Sequence, residues 1–500
     1  MDFTIPKDVA DFLADMDAFI ERELRPLERA DDNIRFFDHR REDARTDWHR
    51  GGLPNEEWEA LLRKVRTMAD AAGFYRYPLP RQYGGRDGTN LGMAIIREDL
   101  AAKGLGLHCD LQTEHSIVSN HVGLLLMLEY GTEVQKERFL AGLLDGSLGF
   151  AFGITEPEHG SDATHMETRA RRDGNGWRID GEKTWNTGVH TAPYDLIFAR
   201  TRGHAGDGDG ITAFLVPTDA SGFKIEEYLW TFNMPTDHAR ISLTDVRVPD
   251  EAVFGGEGRG LQVVQHFFNE NRIRQAASSL GAAQYCIDEA VAYAKVRKPF
   301  GKPLAANQAI QFPLVELQTQ CEMLRALIHK TAWLMDVEGT FSASDKVSMC
   351  NYWANRLCCE AADRAMQVAR RRGNDRRPAD RGLHDGSGGV GLGARLPPPR
   401  GAVLRDPAGR PRGVRAAARR RRLSPQHRFV PKTGCAVAAE PAARLHLHEA
   451  SSAGRTSRGR SGRPAGSRSR RGSGWRCAGC RRRRPGAAAL QTGSSRQPEG

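Results

Sequence analysis

Three short stretches of this chain carry residues able to hold a planar, phosphate-bearing molecule. The first is Phe152-Gly-Ile-Thr-Glu-Pro-Glu-His-Gly-Ser-Asp162, where a β-rich run enters a turn containing Pro and Gly. The backbone amides of such a turn, with the hydroxyls of Thr155 and Ser161, can bind the polar edge of a ring or a phosphate. The same residues also describe an ordinary exposed turn. The second is Trp185-Asn-Thr187, at the end of another β-rich run, with an indole and a hydroxyl on one face. That indole can stack on a planar cofactor or pack in a core. The third is Arg297-Lys-Pro-Phe-Gly-Lys302, followed by Gln308. An Arg beside a Gly and an aromatic suits a pyrophosphate and an adenine, and basic residues with a Gly also end helices on purely structural grounds.

The elements around these stretches change period twice. Val9, Phe12, Leu13, Met16, Phe19 and Ile20 repeat at helical spacing, as do Trp58, Leu61, Leu62, Val65 and Met68. Further helices are expected over 91–103, 116–130 and 133–144, with a polar loop over 31–54. From Gly146 short strands are expected at 148–155, 176–179, 183–187, 196–201, 212–216 and 240–243. Asp180-Gly181 reads as a hairpin turn between the second and third of these, because Asp-Gly tolerates positive φ. Helical spacing returns over 273–296, 308–337 and 344–368. The expected class is α+β: a helical domain (1–146), an antiparallel β domain (147–257), a second helical domain (258–368), and a basic, disordered tail (369–500).

In this order and on this layout the three stretches resemble the acyl-CoA dehydrogenases over residues 1–368. The family's first signature looks like Ile154-Thr-Glu-Pro with Gly160-Ser-Asp, its flavin-stacking motif like Trp185-Asn-Thr, and its second-subunit element like Arg297 with Phe300-Gly and Gln308. The resemblance implies FAD between the β domain and the last helices. Phe152, Ile154 and Thr155 would meet the flavin's polar edge, Trp185 one face of the ring, and Thr187 the region of N5. Arg297, Phe300 and Gln308 would hold the adenine-diphosphate half of the FAD of a neighbouring subunit, in a homodimer or homotetramer. Ser161 would touch the acyl-CoA, and Asn269-Glu-Asn-Arg272 would line the thioester pocket. The implied reaction is α,β-dehydrogenation of an acyl-CoA, with electrons passing to an electron-transferring flavoprotein. Its base must be a carboxylate in a dry pocket, where desolvation raises its pKa towards its task.

That base is missing from both places where the family keeps it. In a minority it precedes an Arg on a helix, and here Asn271 precedes Arg272. Glu270 is adjacent, but one residue turns a helix by about 100°; it remains a weak candidate. In the majority the glutamate follows a Gln-Val-His-Gly-Gly stretch. This chain reaches Gln367-Val368 and continues Ala369-Arg-Arg-Arg-Gly. Codons CAC GGC GGC, with one G inserted before them, become GCA CGG CGG, which is Ala-Arg-Arg. Hypothesis: residues 369–500 are a frameshifted translation, and resequencing around codon 369 tests it.

Composition agrees. Residues 369–500 hold 31 Arg and one Lys against seven acidic residues, a charge of +25, and the first 368 residues balance it at −14. Only Phe429 and Trp475 are aromatic in that tail. A nucleic-acid-binding tail is a competing reading of the Arg runs, disfavoured by the scarcity of Lys and aromatics. A flavin monooxygenase or acyl-CoA oxidase on the same scaffold is another. Cys477-Ala-Gly-Cys480 lacks the second pair a metal site needs, so no metal is expected. The cysteines of the first 368 residues match no disulfide framework, residues 1–22 are amphipathic and acidic, and no apolar run reaches the ~18 residues of a membrane span. A soluble, cytoplasmic protein is expected.

Overall fold

A computed structural model describes residues 4–38, 41–109, 115–229 and 238–369. The tail expected to be disordered, its frameshift reading and its Cys pair lie outside the described residues.

The first block is helical: α1 (Lys7–Phe19), α2 (Arg25–Arg29), α3 (Glu56–Ala71), α4 (Asn90–Ala102), α5 (Val122–Tyr130) and α6 (Glu133–Asp145). Three of these starts are capped by side chains, those of α3, α4 and α6. Asn55 accepts from the Glu57 amide at the head of α3, and Thr89 from the Gly92 amide at the head of α4. Thr132 and Gln135 form a reciprocal capping box on α6. Helix α5 begins six residues later than its apolar pattern predicts. Ser116 and Ser119 accept from the amides of Val118 and His121, local bonds that compete with a helical turn, and His121 takes φ 45°. The expected loop over 31–54 contains a two-residue hairpin, β1 (Thr46–Asp47) with β2 (Leu53–Pro54).

The middle block is one eight-stranded sheet. Its strands are β3 (Phe150–Gly153), β4 (Arg169–Asp173), β5 (Gly176–Thr187), β6 (Tyr194–Arg200), β7 (Ile211–Pro217), β8 (Phe223–Tyr228), β9 (His238–Pro249) and β10 (Val253–Phe254), in the order β10-β7-β6-β3-β5-β9-β8, with β4 beside β5 and β6. Pairing is antiparallel except where β3 and one residue of β4 meet β6. The expected hairpin at Asp180-Gly181 does not form. β5 runs straight through it with a register shift between Ile179 and Gly181, and the turn lies one strand earlier, at Gly174-Asn175 between β4 and β5. Asp180 instead accepts from the Asp245 amide across the sheet.

The last block is three long helices, α7 (Gly260–Val296), α8 (Gln308–Glu338) and α9 (Ser344–Val368). Ala276, Ala277, Ala283 and Ala290 give α7 a narrow buried face. At Gly281 a Cβ would lie 2.1 Å from the Glu98 carbonyl, so only glycine lets α4 and α7 touch. At ~1.5 Å per residue, α7 is a rod of roughly 55 Å. The outer faces of α8 and α9 leave Phe312, Trp333, Tyr352 and Trp353 exposed. Among the described residues, no helix is long and apolar enough to cross a membrane.

Candidate functional site

Strand register brings the first two stretches together. Phe152 on β3 pairs with Thr187 on β5, and the Thr155 carbonyl accepts from the Thr184 amide at 2.9 Å. Trp185 sits in a β-bulge between Thr184 and Asn186, at φ 66°. Positive φ is strained for a bulky L residue, at a cost of roughly 1–2 kcal/mol, and the bulge re-aims its side chain. The half-buried indole lies edge-on to His238, ring centres 6.2 Å apart, and Thr187 Oγ1 is 3.0 Å from His238 Nδ1. The Phe152 ring packs on Phe198 and on Phe267 of α7, at 5.1 and 4.7 Å. A single corner thus joins the end of β3, the end of β5 and one face of α7.

The turn after β3 is organised by a buried ion pair that sequence reasoning did not single out. Lys183, with no exposed surface, donates from Nζ to Glu156 Oε1 at 2.8 Å and to the Ile154 carbonyl at 3.2 Å. Glu156 also accepts from the amides of Glu167 and Thr168 at 2.6 and 2.9 Å. Burial pushes the Glu156 carboxyl up, but the Lys183 charge and these bonds outweigh it and hold it below the usual carboxylate range. One carboxylate therefore closes the loop on which exposed Ser161 is presented. A lysine at an inward strand position was the available signal.

Asn269, Glu270 and Arg272 separate on α7. Asn269 was expected to line the thioester pocket, but it is fully buried. Its amide donates to the Thr340 carbonyl and to Ser344 Oγ at 3.1 and 2.8 Å, tying down the start of α9. Arg272 is half-buried, with its guanidinium 5.1 Å from the Phe268 ring centre. Asn271 lies one turn beyond Phe267, on the face that meets Phe152.

Glu270 points elsewhere. It pairs with His266 Nε2 at 3.4 Å and Arg274 at 3.2 Å, and His266 Nδ1 is 2.9 Å from the Tyr130 hydroxyl. Burial pushes its carboxyl up, but Arg274 and His266 together hold it below the ordinary value. As placed, Glu270 is the counter-ion of buried Arg274. Glu270→Gln is expected to cost roughly 2 kcal/mol at neutral pH by leaving Arg274 buried without its carboxylate. A depressed folded pKa means stability present above the unfolded value and lost as pH falls through the folded one. The difference between wild type and variant in denaturant unfolding should therefore shrink in acid.

Arg297, Phe300 and Gln308 do not join the corner within one chain. Arg297 and Phe300 lie on the α7–α8 connection and Gln308 opens α8, all exposed, with Phe300 wholly so and at φ 52°. Phe267 and Val296 are 29 residues apart on one helix, a separation of ~44 Å.

Family models for the N-terminal, middle and C-terminal domains of acyl-CoA dehydrogenases match residues 30–147, 151–246 and 258–382. Acyl-CoA dehydrogenase FadE12 of Mycobacterium tuberculosis is 32% identical over 299 residues, 60% of this chain and 76% of the relative. The Caffeyl-CoA reductase-Etf complex subunit CarC of Acetobacterium woodii is 32% identical over 316 residues, 63% of this chain and 81% of its own length. A glutaryl-CoA dehydrogenase from Mycobacterium smegmatis, solved in complex with FADH2, superposes with a TM-score of 0.58 at 25% identity, covering 73% of this chain and 85% of that one. Helical, sheet and helical blocks, the strand ends that meet at Phe152 and Thr187, and all three domain matches lead to one conclusion: this chain belongs to the acyl-CoA dehydrogenase family.

Proposed function

We propose that this chain is an FAD-dependent acyl-CoA dehydrogenase homologue that keeps the flavin-facing corner but lacks the base. The observation that carries the reading is Trp185, a half-buried indole held out of the sheet on a strained bulge beside Thr187 and the end of β3. A planar ring laid against it would meet Phe152, Ile154 and Thr155 at its polar edge and Thr187 near N5. When bound, FAD would supply the acceptor for the substrate's β hydride. The chain's own task is to orient the thioester beside Ser161 and Arg272, exclude water, and take the α proton. Asn271, on the face that meets Phe152, is an amide and cannot take a proton at neutral pH.

The second half of the site supports an oligomer. Arg297, Phe300 and Gln308 would hold the adenine-diphosphate half of the FAD bound by another copy, in a homodimer or homotetramer. An aromatic fully in water at positive φ is costly unless a partner covers it. The CarC relative, named as a subunit of an Etf complex, supports an electron-transferring flavoprotein as electron acceptor. Free thiols at Cys286, Cys321, Cys350, Cys358 and Cys359 support a cytoplasmic setting. Domain boundaries near 146/147 and 257/258 fall in the turns after α6 and before α7.

The visible absorbance of the purified chain and anaerobic dye reduction by acyl-CoA test the reading together. Weak or absent flavin and no dehydrogenation are expected of the chain as it stands. A yellow, dye-reducing preparation would overturn the missing base, and peroxide formed in air would point to an oxidase.

A further inference from the structure

Beneath the flavin-facing corner lies a polar pair without a stated role. Asn186 on β5 and Asp195 on β6 are both fully buried. Asn186 Nδ2 donates to Asp195 Oδ2. The remaining oxygens, Asn186 Oδ1 and Asp195 Oδ1, have no partner among the described residues. Two bare acceptors cannot satisfy each other, and neither can reach water. A protonated carboxyl resolves both at once, because its O–H can donate to the amide oxygen while the amide N–H donates back.

The neighbourhood favours the neutral acid. Opposite Asp195 stand Ala151 on β3 and Val216 on β7, neither of them charged. The charged group that faces it is Lys183 on β5, whose charge is already matched by Glu156 from the turn after β3. Burial pushes the Asp195 carboxyl up to about 7, with the Asn186 bond and Lys183 pulling the other way.

The pair also touches both parts of the corner. A Cβ on Gly153 would lie 2.6 Å from Asn186 Nδ2 and 3.2 Å from Asp195 Oδ1, so the end of β3 is packed directly onto it. Asn186 is the residue that closes the bulge carrying Trp185.

We propose that Asp195 is a positioning residue: as a neutral acid it closes a ring of two hydrogen bonds with the Asn186 amide, and this ring fixes the bulge that turns Trp185 out of the sheet. Ionisation removes one bond and sets a negative oxygen against Asn186 Oδ1, so the ring opens and Trp185 loses its fixed orientation. The consequence for cofactor binding rests on the flavin reading above; the ring itself does not.

The test uses the full chain. The emission of Trp185, taken as wild type minus Trp185→Phe, is followed between about pH 5.5 and about pH 8.5. A single transition is expected in wild type. Asp195→Asn, which can pair amide to amide and does not titrate, should keep the acid-side emission throughout. A flat wild-type profile overturns the proposal. So does the same transition in Asp195→Asn, which would then belong to a group other than Asp195. Added FAD, followed by flavin absorbance, separates the two readings. Wild type should bind it roughly tenfold more weakly at the alkaline end, as the competent fraction falls, while Asp195→Asn binds it equally at both ends. If neither protein binds FAD but the emission results hold, as the weak or absent flavin expected of this chain allows, the positioning role stands and only its consequence for cofactor binding falls.

Discussion

Removing one nucleotide before codon 369 is expected to turn a colourless, inactive protein into a yellow one that oxidises acyl-CoA, with a rate gain of roughly 10⁴-fold or more. The magnitude follows from the missing group. A positioned general base contributes about 10²–10⁴-fold, and a flavin site completed at the same time adds the reaction itself. In the frame as it stands, the residue facing the corner one turn beyond Phe267 is Asn271, and its neighbour on α7, Glu270, is committed to Arg274 and His266. Dye reduction and the flavin spectrum of the two proteins, purified side by side, check the expectation. An equally active parent would send the search for a base back to Glu270. A restored chain that binds flavin but stays inactive would place the defect within residues 1–368.

The largest loss of stability is expected from Lys183→Met, about 3–5 kcal/mol in equilibrium unfolding at neutral pH. The reason is asymmetry. Lys183 and Glu156 neutralise each other where almost no water reaches, with side chains 0% and 5% exposed. Methionine fills the space, yet leaves a buried carboxylate with only the Glu167 and Thr168 amides to hold it. The double variant Lys183→Met with Glu156→Gln should recover most of the loss, since it removes the orphaned charge as well. A single variant within 1 kcal/mol of wild type would mean that water or another cation reaches Glu156. Because Glu156 closes the turn, the variant should also loosen the loop bearing Ser161, visible as faster proteolysis there.

The layout of blocks was legible because burial writes itself into period. Leu314, Leu317, Cys321, Leu324 and Ile328 repeat along α8 at helical spacing, and all are buried. The two stretches that meet at the corner could be picked out for a similar reason, as contiguous residues on strand ends. What escaped depends on register. Lys183 meets Glu156 across 27 residues and Asn186 meets Asp195 across nine, and only the pairing of β3, β5 and β6 makes them neighbours. The hairpin was misplaced because Asp-Gly is permissive: a bulge uses the same freedom as a turn, and Gly181 lies close against Thr168. The tie from Asn269 to the start of α9 was hidden for a similar reason. An amide near a pocket and an amide tying down the next helix look alike until α9 is placed.

The unbroken run of α7 has one more consequence. One end carries the face that meets the β3 corner, and the other carries the connection bearing Arg297 and Phe300. Each added or lost residue between them would shift one end by ~1.5 Å and rotate it by ~100° against the other. Substitutions along the rod are local events, but a change of length is global, since it dephases two surfaces at once. Between Phe267 and Val296 the count is therefore fixed even at positions where, unlike Gly281, the spelling can change, and surviving insertions in descendants of this chain belong in its loops.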